Sequence, residues 1–239
     1  MKTVKLSIVI PCYNEADNIQ LLLNNICNTY KQYTEIILVD NGSMDNTADI
    51  LENELELIKN VLIKFVKIEK NIGYGHGIMA GIKKARGDII SWTHADFQTD
   101  IKDVYNGFEL FNQQTIQKKI FLKGIRNKRP IVDTILTLGM GIISSIWLRQ
   151  NLNDINAQPK MFHRSFLKKI AKPPDDFSLD LYFYYNAIIN EMKILELPVY
   201  FGKRLHGEAK GGGGSSIFTR IRVIFRTLRY ILKLRKTIL

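Results

Sequence analysis

A doubly wound α/β sheet is the fold this 239-residue chain predicts. Three observations carry the prediction. Strand-like and helix-like segments alternate through the first hundred residues. The strand candidates are unbroken apolar runs, as suits parallel strands covered on both faces. Polar clusters follow the strands at Tyr13–Glu15, Asp40–Asp45 and His94–Gln98, and ligands of such sheets bind beyond the carboxyl ends of the strands.

The elements follow in order. Val4–Ile10 reads as a strand that stops at Pro11. Asp17–Asn28 reads as a helix with Ile19, Leu22, Leu23 and Ile26 on one side. Glu35–Val39 is a second strand, Asp40–Ser43 a turn and Thr47–Ile58 a second helix, with Asp45 placed to cap it. Val61–Ile68, Ile78–Ala85 and Asp88–Thr93 read as strand, helix and strand. Ile120–Ile125 is a further strand, followed by the basic cluster Arg126, Lys128 and Arg129. Thr134–Leu148 is uncharged and mostly apolar but short of the ~20 residues that span a bilayer. It reads as a buried or interface-lying helix. Asp180 opens a helix-like stretch, where capping is one available role.

Composition narrows the function. The hydrophobic fraction of 46% and charged fraction of 24% are those of an ordinary globular protein. The net charge of +11 calls for an anionic partner: nucleic acid, a phosphorylated substrate or an acidic membrane surface. No nucleic-acid partner is expected, because the basic charge gathers at the C-terminus among aliphatic residues and no stacking or recognition motif appears. The opening MKTVKLSIVIPCYNE has no signal-peptide cleavage pattern, and the two cysteines, Cys12 and Cys27, read as structural thiols. A reduced cytoplasmic setting is the expectation.

The densest stretch runs from Asn71 to Asp100. Its glycines at 73, 75, 77 and 81 would let backbone approach a bulky ligand, and Asp96 and Gln98 at a strand end would point the same way. Hard oxygen ligands so placed suit Mg²⁺ or Mn²⁺, and with the glycine turn they suggest a site for a metal-bound diphosphate.

These segments together resemble the family 2 glycosyltransferases of the GT-A fold. SIVIPCYNE matches that family's opening signature. IILVDNGSMDNT matches the second, with Asp40-Asn41-Gly42-Ser43 where Asp-Asp-Gly-Ser is usual. NIGYGHGIMAGIKKARGDII matches the third, and His94-Ala95-Asp96-Phe97-Gln98 the metal motif, with His94 where an Asp is usual. KRLHGEAKGG resembles a segment of the dolichyl- and polyprenyl-phosphate branch, with Ala209 in place of Ser.

The resemblance implies an inverting transfer of a sugar from a UDP- or GDP-sugar, with Mg²⁺ or Mn²⁺ at Asp96 and Gln98. It places Pro11, Tyr13, Asn14, Glu15, Asp40, Gly42, Ser43, Asn71, Gly73, Ala95 and Asp96 around the nucleotide. His94 is either a ligand, a contact to diphosphate or a space-filler. Arg126, Arg204 and Lys210 are acceptor- or phosphate-binding candidates. Asp154 and Asp180, with Arg204, are the catalytic candidates. Whether a carboxylate base is needed depends on the acceptor, because a phosphate is already anionic and a hydroxyl is not. The acceptor expected is a polyprenyl phosphate or a lipid-linked glycan. The alternatives are a polysaccharide transferase with a hydroxyl acceptor and a nucleotide-sugar-binding protein without catalysis.

The organisation expected is a GT-A domain over 1–210, a glycine hinge over 211–216 and a basic amphipathic helix over 217–239. In that helix Ile217, Ile221, Ile224, Leu228 and Ile231 form one stripe. Arg222, Arg226, Arg229, Lys233 and Lys236 lie one step round. An oily side beside a basic side is the pattern of a helix lying on the inner face of an anionic membrane; a helix packed on the domain is the other reading.

Overall fold

A computed structural model describes residues 4–127, 131–202, 225–226, 228–232 and 234–235. They form a seven-stranded, mostly parallel sheet in the order β3-β2-β1-β4-β6-β5-β7, with helices on both faces. The strands are β1 (Leu6–Cys12), β2 (Thr34–Asn41), β3 (Ile63–Ile68), β4 (Ile89–Trp92), β5 (Ile120–Asn127), β6 (Lys160–His163) and β7 (Lys193–Tyr200). The helices are α1 (Ala16–Thr29), α2 (Thr47–Leu57), α3 (Tyr74–Lys84), α4 (Ile101–Asn112), α5 (Ile131–Leu148) and α6 (Leu179–Ile189). This is the predicted doubly wound sheet.

Strand order reverses between β1 and β4, and β6 enters antiparallel to both neighbours. β1 pairs with β4 only over Leu6–Val9 but follows β2 as far as Cys12. Beyond Val9 one side of β1 is an edge. Pro11 therefore does not end the strand: a residue without N–H is tolerated where a strand has lost one neighbour. The parting of β1 from β4 opens the crevice where a doubly wound sheet binds its ligand.

The core has two layers. Ile8, Ile10, Leu23, Ile36 and Phe111 pack on one face of the sheet, and Val9, Val39, Trp92, Phe162 and Phe183 on the other. Neighbouring residues of β1 thus serve opposite layers, as strand alternation requires. Helix α3 begins four residues earlier than the apolar pattern suggests, because its first turn is built of glycines packed on other parts of the chain. Helix α4 and strands β6 and β7 were not legible in sequence. Lys160 in β6 and the mixed pattern KILELPVY in β7 hide the strand signal.

The C-terminal residues between 225 and 235 that are described are helical. Ile231 and Leu234 are buried in the core, and Leu228 and Tyr230 pack against it. The described part of the apolar stripe therefore faces the protein. The hinge at 211–216 lies outside the described residues.

Candidate active site

Three turns meet at the crevice. Asn14, at φ 51°, donates its backbone N–H to Ser43 Oγ (2.9 Å), and its side-chain oxygen accepts from Met44 N (2.7 Å). Glu15 N donates to Thr47 Oγ1 (2.8 Å). Asp45 accepts from Thr47 N (3.0 Å) and from Ala16 N (3.2 Å), so it ties α1 to the first residue of α2, while Asn46 and not Asp45 holds the cap position. Asp40 is buried and accepts from Ser43 N (3.2 Å), closing the turn. Gly42 has φ 72°, and a Cβ there would lie 2.4 Å from Asn71 N. The candidate donor residues Asn14, Glu15, Asp40, Gly42, Ser43 and Asn71 are thus one hydrogen-bonded and packed assembly, with Pro11 at the end of β1 beside it and Tyr13 half-buried in the turn.

The glycine turn packs closely on other parts of the chain. A Cβ on Gly73 would lie 2.3 Å from Asp175 O, and one on Gly75 2.2 Å from Pro174 O. His76 N donates to Asp175 O (3.0 Å). Gly77 admits the Asn41 side chain, whose Nδ2 donates to Gly73 O (3.0 Å), and Gly81 admits Val9 and Val39. The close approach these glycines permit is to the chain's own 174–176 loop and to β1 and β2. Asn41, the departure from the usual second Asp, is an internal donor.

The candidate metal motif lies in a loop, since β4 ends at Trp92. Asp96 Oδ1 accepts from Gln98 N (3.1 Å) across Phe97, which has φ 59°. This Asx turn brings Asp96 and Gln98 together; strand alternation does not. Ala95 and Asp96 are buried, and Gly202 N donates to Gln98 O (2.9 Å), so the end of β7 lies against the motif. Arg204 and Lys210 come shortly after that contact in sequence but lie outside the described residues.

One carboxylate and one amide do not make a closed cage, and no cluster of three or more His, Cys, Asp or Glu suited to a metal occurs among the described residues. The donor set fits a hard cation such as Mg²⁺ or Mn²⁺ that takes further oxygens from a diphosphate and water. The ring of His94 lies 6.1 Å from that of Tyr74, centre to centre, and Tyr74 stacks on Phe177 at 4.6 Å. Burial, then the charges of Asp180 and Asp96, hold the Tyr74 hydroxyl well above its ordinary pKa, so it remains a protonated donor.

The two catalytic carboxylate candidates are held differently. Asp180 is 2% exposed, and its Oδ1 accepts from Trp92 Nε1 (3.1 Å) and Gln158 Nε2 (3.0 Å). Gln158 Nε2 also donates to the Tyr74 hydroxyl (3.0 Å). Asp180 stands in the first turn of α6, with Ser178 at the cap position. It joins β4, α3 and the loop before β6 from beneath the motif. Asp154 accepts from Arg126 N (2.7 Å), from Arg126 Nε (2.8 Å) and from Nη2. Two residues proposed separately from sequence are thereby one ion pair. Burial pushes the Asp154 carboxyl up, but the Arg126 hydrogen bonds and charge outweigh it and hold the carboxyl below the usual range.

That pair makes a stability prediction. Asp154→Asn should cost about 2 kcal/mol at neutral pH, because a charge-assisted contact is lost while the shape is kept. The Asp154 folded-state pKa is depressed, so its contribution is complete above the ordinary value of about 3.9 and disappears as pH falls through the lower folded value. Urea unfolding of both forms should show the gap at pH 7 closing at strongly acid pH. A gap that widens in acid would contradict the pairing.

Sequence reading missed a pair of buried lysines. Lys123 and Lys160 are cross-strand partners in β5 and β6, and both are fully buried. Lys123 Nζ donates to Asn153 Oδ1 (3.1 Å) and approaches Glu196 (3.5 Å). Lys160 Nζ donates to the carbonyls of Ile155 (2.8 Å) and Ala157, bracing the loop that carries Asp154. Burial lowers the Lys160 pKa to about 7. The signal was present: a lysine inside each apolar run, in IFLKGI and PKMF.

A doubly wound sheet with a nucleotide-type crevice at its switch point and an acidic turn beside it defines a GT-A glycosyltransferase architecture. The family model described as glycosyl transferase family 2 matches residues 7–171, well over half of the chain, and the chain belongs to that family. It is 37% identical over 106 residues to the undecaprenyl-phosphate 4-deoxy-4-formamido-L-arabinose transferase of Proteus mirabilis, covering 43% of this chain and 32% of the relative. It is 26% identical over 238 residues to the dolichol-phosphate mannosyltransferase of Pyrococcus furiosus, covering 95% and 64%. The chain thus spans about a third of the length of the first and somewhat under two thirds of the second.

Among solved structures, the glucosyl-3-phosphoglycerate synthase of Mycobacterium tuberculosis with Mn²⁺ and UDP superposes with a TM-score of 0.72 at 15% identity, covering 97% of this chain and 79% of that one. A mannosyltransferase of Pyrobaculum calidifontis with GDP-mannose and Mn²⁺ gives 0.64 at 15% identity, covering 96% and 70%. These likenesses concern the fold.

Proposed function

We propose that the chain is an inverting glycosyltransferase that moves a sugar from a UDP- or GDP-sugar to a membrane-linked acceptor, with a polyprenyl phosphate preferred. The observation that carries the reading is the convergence of the Asn14, Asp40–Ser43 and Asn71 turns with Asp96 at the β1/β4 switch point. The named relatives that act on polyprenyl or dolichol phosphate support the acceptor class.

Asp96 and Gln98 would hold Mg²⁺ or Mn²⁺, which when bound neutralises the diphosphate leaving group. The buried Asp40 turn would accept hydrogen bonds from the nucleotide base. Tyr74, protonated beside Asp96 and Asp180, would donate to an anionic oxygen rather than remove a proton. Arg126, Arg204 and Lys210 would meet acceptor or donor phosphate. Asp154 is oriented by Arg126, and Asp180 by Trp92 and Gln158. A phosphate acceptor arrives as an anion and would need neither carboxylate as a base, whereas a hydroxyl acceptor would need one. An enzyme with a membrane-linked acceptor would work resting on the inner face of an anionic membrane. Among the described residues no helix is long and apolar enough to cross one.

The test is a thermal-shift screen of UDP- and GDP-sugars with and without Mn²⁺, followed by transfer to polyprenyl phosphate. One nucleotide-sugar should raise Tm in a Mn²⁺-dependent way, since ligand binding to the folded state stabilises it. Binding without transfer or hydrolysis would favour a non-catalytic sugar-nucleotide-binding protein. Transfer only to a hydroxyl acceptor would favour a polysaccharide transferase.

A further inference from the structure

In the C-terminal helix Leu228, Ile231 and Leu234 turn inward while Phe225 and Leu232 are exposed, and the molecule exposes a longer apolar stripe elsewhere. Helix α5 buries Ser144 and Leu148, with Gly141 against Leu152 O, and turns the opposite side outward. Leu138 is 58% exposed, Ile142 60%, Ile146 70% and Trp147 40%. The three aliphatic residues are spaced i, i+4, i+8, one helical face. A Cβ on Gly139 would meet nothing within 4 Å, so the open surface continues there. From Thr134 to Leu148 the helix carries no charge. The helix is 18 residues long and packs one side on the protein, and among the described residues no helix is long and apolar enough to cross a membrane.

The rim of this stripe is basic. Arg149 follows α5 directly and is exposed. The Arg235 guanidinium lies over the Trp147 ring at 5.5 Å, which joins the C-terminal helix to the end of α5. On that helix Arg229 and Leu232 are exposed, six and three residues before Arg235. With Ile231 and Leu234 in the core, the outward residues of that helix include Phe225, Arg229 and Leu232, and Arg235 brings it to the end of the α5 stripe.

We propose that the outer face of α5, rimmed by Arg149, Arg229 and Arg235, is the surface that rests on an anionic lipid bilayer. The proposal rests on the membrane-linked acceptor put forward above and moves the contact from the C-terminal apolar stripe to α5. An aliphatic stripe without charge, an edge tryptophan and a basic border suit the interface between acyl chains and anionic headgroups. A second copy of the chain is the poorer occupant: at a net charge of +11 it would set arginine rim against arginine rim.

The test is co-sedimentation with phosphatidylcholine vesicles with and without phosphatidylglycerol. The full chain should bind the anionic vesicles. The variant Leu138→Gln/Ile142→Gln/Ile146→Gln should bind them roughly tenfold or more weakly, with unchanged circular dichroism and Tm because the three side chains are exposed. Arg229→Gln/Arg235→Gln should weaken binding and flatten its salt dependence. Wild-type sedimentation of the triple variant would overturn the proposal. So would a wild-type dimer on size exclusion that the triple variant converts to monomer, because the stripe would then be covered by a second copy. The readout needs no nucleotide. Vesicle binding without nucleotide-sugar binding would therefore sink the enzymatic reading alone, and the converse would sink this one alone.

Discussion

Asp96→Ala will lower sugar transfer by roughly 10²–10³-fold, the cost of removing one strong electrostatic contact to charge that develops on the leaving group. Asp96 is the carboxylate of the motif, 5% exposed and fixed by the Asx turn to Gln98. Its loss should also abolish the Mn²⁺-dependent part of the thermal shift given by the donor. His94→Ala should cost less, since the hard cations in question prefer oxygen over imidazole. Single-turnover rates and thermal shifts of both variants, with and without Mn²⁺, check this. Normal turnover by Asp96→Ala with intact metal dependence would mean that the metal lies elsewhere.

Gly73→Ala will lose about 3 kcal/mol of stability, or a Tm fall of roughly 6–12 °C for a domain of this size. Two costs combine. The backbone stands at φ 153°, where L side chains rarely go, and the new Cβ would lie 2.3 Å from the carbonyl of Asp175. The 174–176 loop cannot move away without releasing His76 N and the Tyr74–Phe177 stack. Gly139→Ala is the control: it has open space around it and should be neutral or slightly stabilising, because alanine is the better helix former. Equal stability of the two variants by urea unfolding would show that the glycine turn is not clamped by the loop.

The two basic clusters show how far sequence reading reaches. Arg126 and Asp154 were each singled out, 28 residues apart, and nothing local says that they pair. Their contact depends on β6 running antiparallel between β4 and β5. Asp180 was placed at a helix start, which is where it stands. Its partners Trp92 and Gln158 are 88 and 22 residues away, so its burial and its role as a tie between β4 and the loop before β6 were invisible. The C-terminal stripe was legible as a helix with an oily side. Which surface that side would meet was not, because hydrophobic burial is non-directional: a protein core and a bilayer reward the same periodicity.

By itself the sequence determined the alternation of strands and helices, the polar turns at the strand ends and the acidic motif after β4. All of these are set by short-range rules of period, turn chemistry and capping. Only the tertiary structure decided what the glycines of the α3 turn admit, which carboxylates are spent on internal partners and which helix shows its apolar face to the outside. Each of those depends on groups distant in the chain competing for the same space and the same hydrogen bonds, and that competition is settled only when the sheet closes.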